Sequence, residues 1–266
     1  MPYTVTQRIR AIQQPVEGYI PISALSIKQY RDNFSLNSRE NIPANYVGLA
    51  VDYLTRFRLT DDVQEAFDIS ILGAKILFHN YGMNKEFMYC LELLESVKAG
   101  DIFAAVQLTT YDDVYRAGII DIPRLSPDAA TIENIEIMVN RGVSFLKNSS
   151  SEIKTGLTFE GGYTDIVVNG DCDYVTDNSL IDFKVLRGNV TKNHTLQILM
   201  YYLLGLNSIH TSEFQKIKWL ALFNPRKNVV YYIHVRRISE AVINEVLREV
   251  IGYADRGDWY ARNCRS

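Results

Sequence analysis

Apolar positions along this chain change their spacing near residue 150, and the change separates a helical part from a strand-rich part. Before that point apolar residues recur every three or four positions, the spacing of one buried helix face. After Pro43, in NYVGLAVDYLTRF, residues Val47, Ala50, Val51, Leu54 and Phe57 form one stripe and predict a helix over 43–58. Thr60-Asp61-Asp62 reads as a cap before VQEAFDISILGAKILFHNY, and Asn84 as the cap of KEFMYCLELLESVKAG, with Gly100 its stop. AAVQLTTYDDVYRAG and, beyond Pro123 and Pro127, ATIENIEIMVNRGVSFLK continue the helical pattern. Glu92, Glu95, Asp112 and Asp113 are expected on solvated helix faces. Nearer the start, residues up to about 20 show no period and read as extended, and 22–33 read as a short helix capped by Ser23.

Past residue 150 the period shortens. Residues 152–168 read as strand interrupted by a turn at Gly161-Gly162, and 163–168 and 179–185 are short runs rich in β-branched and aromatic residues. Thr191 and Gly205 read as the cap and the stop of a helix containing LQILMYYLL. Residues 216–223 and 229–235 predict two more strands, and 240–253 an amphipathic helix. The chain is therefore expected to be α/β, with a mainly helical region over 1–150 and a sheet-bearing core over 151–266 that is not an independent domain.

Chemistry concentrates between Gly162 and Tyr201. Two pairings of its strands are open. If the whole polar stretch NGDCDYVTDN is a hairpin loop, Asp165 faces Asp182 and Tyr163 faces Lys184, because opposed positions in an antiparallel pair keep a constant index sum. If Asp177-Asn178 is a tight turn, residues 171–176 form a strand of their own, so that Asp173 faces Asp182 and Asp171 faces Lys184. Either way an aspartate opposes Asp182, with Ile181, Phe183 and Val185 on the other, apolar face. Opposed carboxylates lie roughly 5 Å apart and repel unless a cation or proton sits between them. A hard divalent cation relieves that repulsion, keeps several waters and takes up substrate phosphates. Lys184 beside it could stabilise developing negative charge or position the attacking water. His194, Gln197 and Tyr201 fall on one face of the following helix, and a glutamine inside so apolar a run needs a polar partner.

An isolated D-x-K occurs by chance in many chains. Here it stands on a half-buried strand, with an opposed aspartate and a matching helix after it. Gly162-x-x-Asp165, Asp182-Phe183-Lys184 and Gln197-x-x-x-Tyr201 together resemble the RecB-like exonuclease branch of the PD-(D/E)XK nuclease superfamily. Gly170-x-x-Asp173 also matches the first element. The apolar Ile166-Val167-Val168 after Asp165 makes Asp165 the preferred reading and Asp173 the alternative.

The resemblance implies a restriction-endonuclease-like core, a mixed sheet flanked by helices, with a large N-terminal helical insertion. It implies a Mg²⁺- or Mn²⁺-dependent hydrolase of phosphodiester bonds in DNA rather than RNA, of exonuclease character. Asp165 and Asp182 would be metal ligands, completed by the backbone carbonyl of Phe183, and Lys184 the catalytic lysine. Gln197, Tyr201 and His194 would handle substrate, with Arg187 and Lys192 in the loop after the D-x-K strand, and Arg226 and Lys227 in a later turn, as candidate phosphate contacts. The family's first motif, G-x-x-x-H, has Gly48-x-x-x-Asp52 in its place. Asp52 is thus either a further metal ligand or the i, i+4 partner of Arg56. The departure keeps a second reading open, an inactive nuclease fold that binds nucleic acid or protein within a larger complex.

Composition narrows this little. With 47% hydrophobic and 22% charged residues the chain is ordinary for a soluble protein, and a net charge of -3 places any nucleic-acid affinity in a local patch instead of a basic coat. The first residues lack the apolar stretch of a signal peptide and no run suffices to cross a bilayer, so a soluble, cytoplasmic protein without membrane partners is expected. Three cysteines, Cys90, Cys172 and Cys264, lack C-x-x-C spacing, so neither a disulfide framework nor a zinc site is expected. Some RecB-like nucleases hold an iron–sulfur cluster on four cysteines, and none is expected here.

Overall fold

Eight strands occur in the computed structural model, which describes residues 2–253: β1 (Tyr3–Thr4), β2 (Ser26–Gln29), β3 (Ile153–Thr158), β4 (Val167–Asn169), β5 (Asp171–Thr176), β6 (Ser179–Phe183), β7 (Trp219–Asn224) and β8 (Val229–His234). Six of them form a mixed sheet in the order β2-β8-β7-β6-β5-β3, and β1 pairs with β4 in a small parallel ribbon. Within the large sheet β6 and β7 are parallel and every other neighbouring pair is antiparallel. A parallel pair needs a crossover connection. Here it is made by α9, introduced below with the other helices.

The chain forms two compact units, one from residues up to Tyr30 together with Leu146 onwards, the other from Arg31 to Phe145. The first unit carries both sheets. Its N-terminal segment departs from the expected extended stretch and short helix. Thr4 and Gln7 make a reciprocal capping box that opens α1 (Val5–Ala11), and Val5 and Ile9 are buried. After a single 3₁₀ turn at Ile22–Ala24, residues expected to be helical pair instead as β2, from Ser26↔Tyr232 to Gln29↔Val229. Backbone pairing with β8 outweighs the weak local helical period.

The second unit is helical, as its periodicity predicts: α2 (Ala44–Thr60), α3 (Val63–Ala66), α4 (Asp68–Tyr81), α5 (Asn84–Lys98), α6 (Ile102–Thr109) and α7 (Asp112–Ala117), after which the chain leaves it within α8 (Ala129–Ser149). Asp62 caps α3 by accepting from the N–H groups of Gln64 and Glu65. Asn84 is the first residue of α5 and supplies no side-chain cap. Glu92 and Glu95 are exposed, but Asp112 is 1% exposed and is not on a solvated face. Tyr53 and Ser70 donate their hydroxyls to it over 2.5 and 2.7 Å, and Arg116 lies 3.4 Å away. Its burial raises its pKa.

In the sheet-bearing unit the crossover helix α9 (Lys192–Leu206) is buried along most of its length, and Leu196, Leu199, Met200 and Leu203 share one apolar cluster with Val175, Leu180, Leu220 and Leu222 of the sheet. Gly205 does not stop this helix. It lies inside α9, where a Cβ would come 2.2 Å from the ring of Phe214 in α10 (Thr211–Phe214), so it is a packing glycine. The last described elements are α11 (Glu240–Glu245) and a π-helical turn, Val246–Ile251. No helix among the described residues is long and apolar enough to cross a membrane.

Candidate active site

The hairpin between β5 and β6 sets the geometry. Its register, Tyr174↔Ile181 and Val175↔Leu180, is that of a tight turn at Asp177-Asn178, closed by Thr176 Oγ1 accepting from the Ser179 N–H over 3.0 Å. The paired residues end at Tyr174↔Ile181, and the same index sum extended past them matches Asp173 to Asp182 and Asp171 to Lys184. The polar stretch before the turn is thus a strand and not a loop. Cys172 and Tyr174 alternate with Asp171 and Asp173 and are fully buried, Tyr174 with its ring 4.6 Å from that of Phe183 on the face away from the carboxylates. That period of two is what holds the strand in place.

Asp165 does not oppose Asp182, which corrects the preferred reading of the sequence. It is exposed on a bend before β4, and β4 pairs with β1 instead of β6. Thr164 shapes that bend, accepting from the N–H groups of Ile166 and Val167 and donating to the carbonyl of Ile251. The apolar residues after Asp165 therefore serve the small ribbon.

Asp182 is 1% exposed, and Lys184 Nζ lies 2.6 Å from its Oδ2. Asp173 Oδ2 accepts the main-chain N–H of Phe183 over 2.7 Å. The next N–H, that of Lys184, turns the other way and donates to Phe223 of β7 over 2.8 Å. Peptide groups alternate in direction along a strand, so the Phe183 carbonyl is directed to the β5 side, where Asp173 lies. Two carboxylates, one main-chain carbonyl and one lysine therefore meet at the end of this hairpin.

Helix α9 lays its polar face along them. Thr191 and His194 form a capping box, with the Thr191 N–H donating to His194 Nδ1 over 3.0 Å. Burial, and then the charge of Lys184, lowers the His194 pKa to about 4, so the ring is neutral at pH 7. One turn on, Gln197 Nε2 donates to the Tyr201 hydroxyl over 2.9 Å, the polar partner that a glutamine in this run requires. Burial raises the Tyr201 pKa well above the usual phenol value, and the charges of Asp171, Asp182 and Asp173 raise it further. Asp171, absent from the candidate residues above, belongs to this constellation; its sequence signal is the D-x-D alternation with buried Cys172.

The basic candidates differ. Arg187 is exposed in the loop after β6. Lys192 Nζ is held by the carbonyls of Pro15 and Val16, at 3.1 and 3.4 Å, and Lys227 reaches Asn189 over 3.0 Å. The N–H of Arg226 is tied to Asn224 in the β7–β8 turn. An open groove of about 560 Å³ along the start of α9 is lined by Arg10, Gln13, Gln14, Lys192 and Asn193 among others, with no acidic side chain among the described residues. Asp52 belongs to the helical unit, where its carboxylate is 2.8 Å from Arg56. That pair is largely buried and not a surface contact.

Among the described residues no three His, Cys, Asp or Glu side chains come together as a metal-holding group. The donors at the hairpin are Asp173, Asp182 and the Phe183 carbonyl, all oxygen. That set suits Mg²⁺ or Mn²⁺, which bind through one or two carboxylates and complete their shell with water and phosphate oxygens. Comparison with protein-family models, curated proteins and solved structures finds no match to this chain.

Proposed function

We propose that this chain is a Mg²⁺- or Mn²⁺-dependent nuclease of the PD-(D/E)XK type that hydrolyses phosphodiester bonds in DNA. The observation that carries the reading is the meeting of Asp173, bound to the Phe183 N–H, with Asp182 and Lys184 at the end of the β5–β6 hairpin, against which α9 with its Gln197–Tyr201 pair is packed. Gly170-x-x-Asp173 then takes the place of the first element, ahead of Asp182-x-Lys184 and Gln197-x-x-x-Tyr201. The order α8, β3, β5, β6, α9, β7, with three antiparallel strands followed by a helix and a parallel strand, also supports it. Action at strand ends rests on the Gln197-x-x-x-Tyr201 resemblance alone.

Asp173, Asp182 and the Phe183 carbonyl would hold the metal. When bound, it would lower the pKa of the attacking water and screen the charge of the scissile phosphate. Lys184 presents a positive charge where negative charge builds up on the phosphate. Gln197 fixes the Tyr201 hydroxyl, and the neutral His194 leaves Lys184 without a competing cation. The groove along α9, lined by Arg10 and Lys192, offers a local basic path for a strand, which a chain of net charge -3 requires.

One observation favours a second reading, a nuclease fold that binds without turnover. Lys184 neutralises Asp182, and the Phe183 N–H satisfies Asp173, within the chain itself. Cleavage of end-labelled single- and double-stranded DNA and RNA by wild type and Asp182→Ala, with Mg²⁺, Mn²⁺ or chelator, decides between them. Cleavage by wild type alone, lost on chelation, is expected. No cleavage of any substrate by folded protein would leave the binding module.

A further inference from the structure

Lys184 Nζ lies 2.6 Å from Asp182, two residues before it. The last paired residues of the hairpin are Tyr174↔Ile181, and their index sum, extended past the end of β6, matches Lys184 to Asp171. Asp171 is half-buried on the same strand face as Asp173, and its carboxylate makes no hydrogen bond or ion pair with a described residue. Its neighbour on the other side is Thr158 of β3. Burial raises the pKa of the Tyr201 hydroxyl, and the charge of Asp171 raises it further, ahead of those of Asp182 and Asp173. A partly desolvated carboxylate facing a lysine that is paired elsewhere is an unused acceptor.

The proposed metal reading gives that acceptor a use. Asp182 cannot hold a divalent cation and an ammonium group at 2.6 Å together without strong repulsion between the two cations. Lysine carries its charge on a flexible four-carbon stem, so the ammonium can move while the strand stays fixed. We propose that Asp171 is the positioning residue that receives Lys184 when the metal is seated. Before loading, Lys184 neutralises Asp182; on loading it passes to Asp171, which holds it facing the scissile phosphate. The exchange makes or breaks no covalent bond. It rests on the metal-nuclease reading of the site.

The test is Mn²⁺ titrated alone into the full chain by calorimetry, for wild type, Asp171→Asn, Lys184→Gln and the double variant. Asp171→Asn traps Lys184 on Asp182 and is expected to weaken Mn²⁺ binding about tenfold, the scale on which residues behind a ligand act. Asp171→Glu restores it. Lys184→Gln binds Mn²⁺ more tightly than wild type, and in that background Asp171→Asn has no further effect. An equal loss in both backgrounds would make Asp171 a direct ligand and overturn the handover, as would no loss in either. A second measurement needs no change at Lys184: its Nζ NMR signal moves on Mg²⁺ addition in wild type and stays in Asp171→Asn, and identical shifts in the two overturn the handover. Wild type that binds no metal removes the metal reading itself; wild type that binds, with Asp171→Asn unchanged, removes the handover alone.

Discussion

Phe183 donates its main-chain N–H to Asp173 Oδ2 over 2.7 Å, so the carboxylate of one strand is anchored by the backbone of the next. Asp173→Ala leaves that N–H unpaired in a half-buried place and is expected to cost about 1–3 kcal/mol of stability besides abolishing cleavage. Asp173→Asn keeps an acceptor for the N–H and is expected to hold most of the stability while losing activity. Asp165→Ala, on an exposed bend, stays within about 0.5 kcal/mol of wild type and cleaves normally. Urea unfolding and a cleavage assay on the three variants check this. Activity lost at Asp165 and kept at Asp173 would reverse the assignment.

Lys184 and Asp182 have side chains 15% and 2% exposed, so neither charge is well solvated. Removing one member of such a pair strands the other. Lys184→Ala is expected to abolish cleavage and to lower the stability of the metal-free protein by about 3 kcal/mol. Adding Asp182→Ala should return part of that loss, since no buried charge is then left alone. Chemical unfolding of the single and double variants measures both effects; a Lys184→Ala protein with normal activity would remove the lysine from the site.

His194 titrates at about 4 in place of the ordinary 6.5, first because it is buried and second because of Lys184. The unfolded chain therefore takes up the proton at higher pH than the folded one. The stability tied to this ring is complete above about 6.5 and is lost as pH falls toward 4. Protonation at Nδ1 would also break its bond from the Thr191 N–H. Unfolding curves at pH 7, 5.5 and 4.5 are expected to fall more steeply for wild type than for His194→Gln. Parallel slopes would show that His194 is not the group responsible.

Gly205→Ala places a methyl group 2.2 Å from the Phe214 ring, inside α9. Alanine is the better helix former, so local propensity alone predicts stabilisation. Packing decides otherwise, and a loss of about 1–3 kcal/mol is expected. A melting temperature at or above that of wild type would mean that α10 moves away freely.

The sequence alone determined the elements with a strong period and the residue types at the site. The helical stretches that hold α2 to α8, though not the breaks between α3 and α4 or between α6 and α7, and the strands β7 and β8 could be read from spacing, because apolar faces and caps are local signals; the series Asp, Asp-x-Lys, Gln-x-x-x-Tyr was legible only as a resemblance. It narrowed the hairpin to two registers, each opposing an aspartate to Asp182, and the apolar run after Asp165 favoured the wrong one. Only the tertiary structure decided. Residues after Asp165 are drawn into a ribbon with β1, a partner over 160 positions away, while Cys172 and Tyr174 bury themselves and hold β5 in the sheet. The same long-range pairing turned residues 26–29 into an edge strand on β8. Burial of Asp112 beneath Tyr53 and Ser70, and of Gly205 against Phe214, came from neighbours distant or unpatterned in sequence. Which carboxylates meet is a property of strand register, and register is set by what both faces of a strand bury, information that no local stretch of the chain contains.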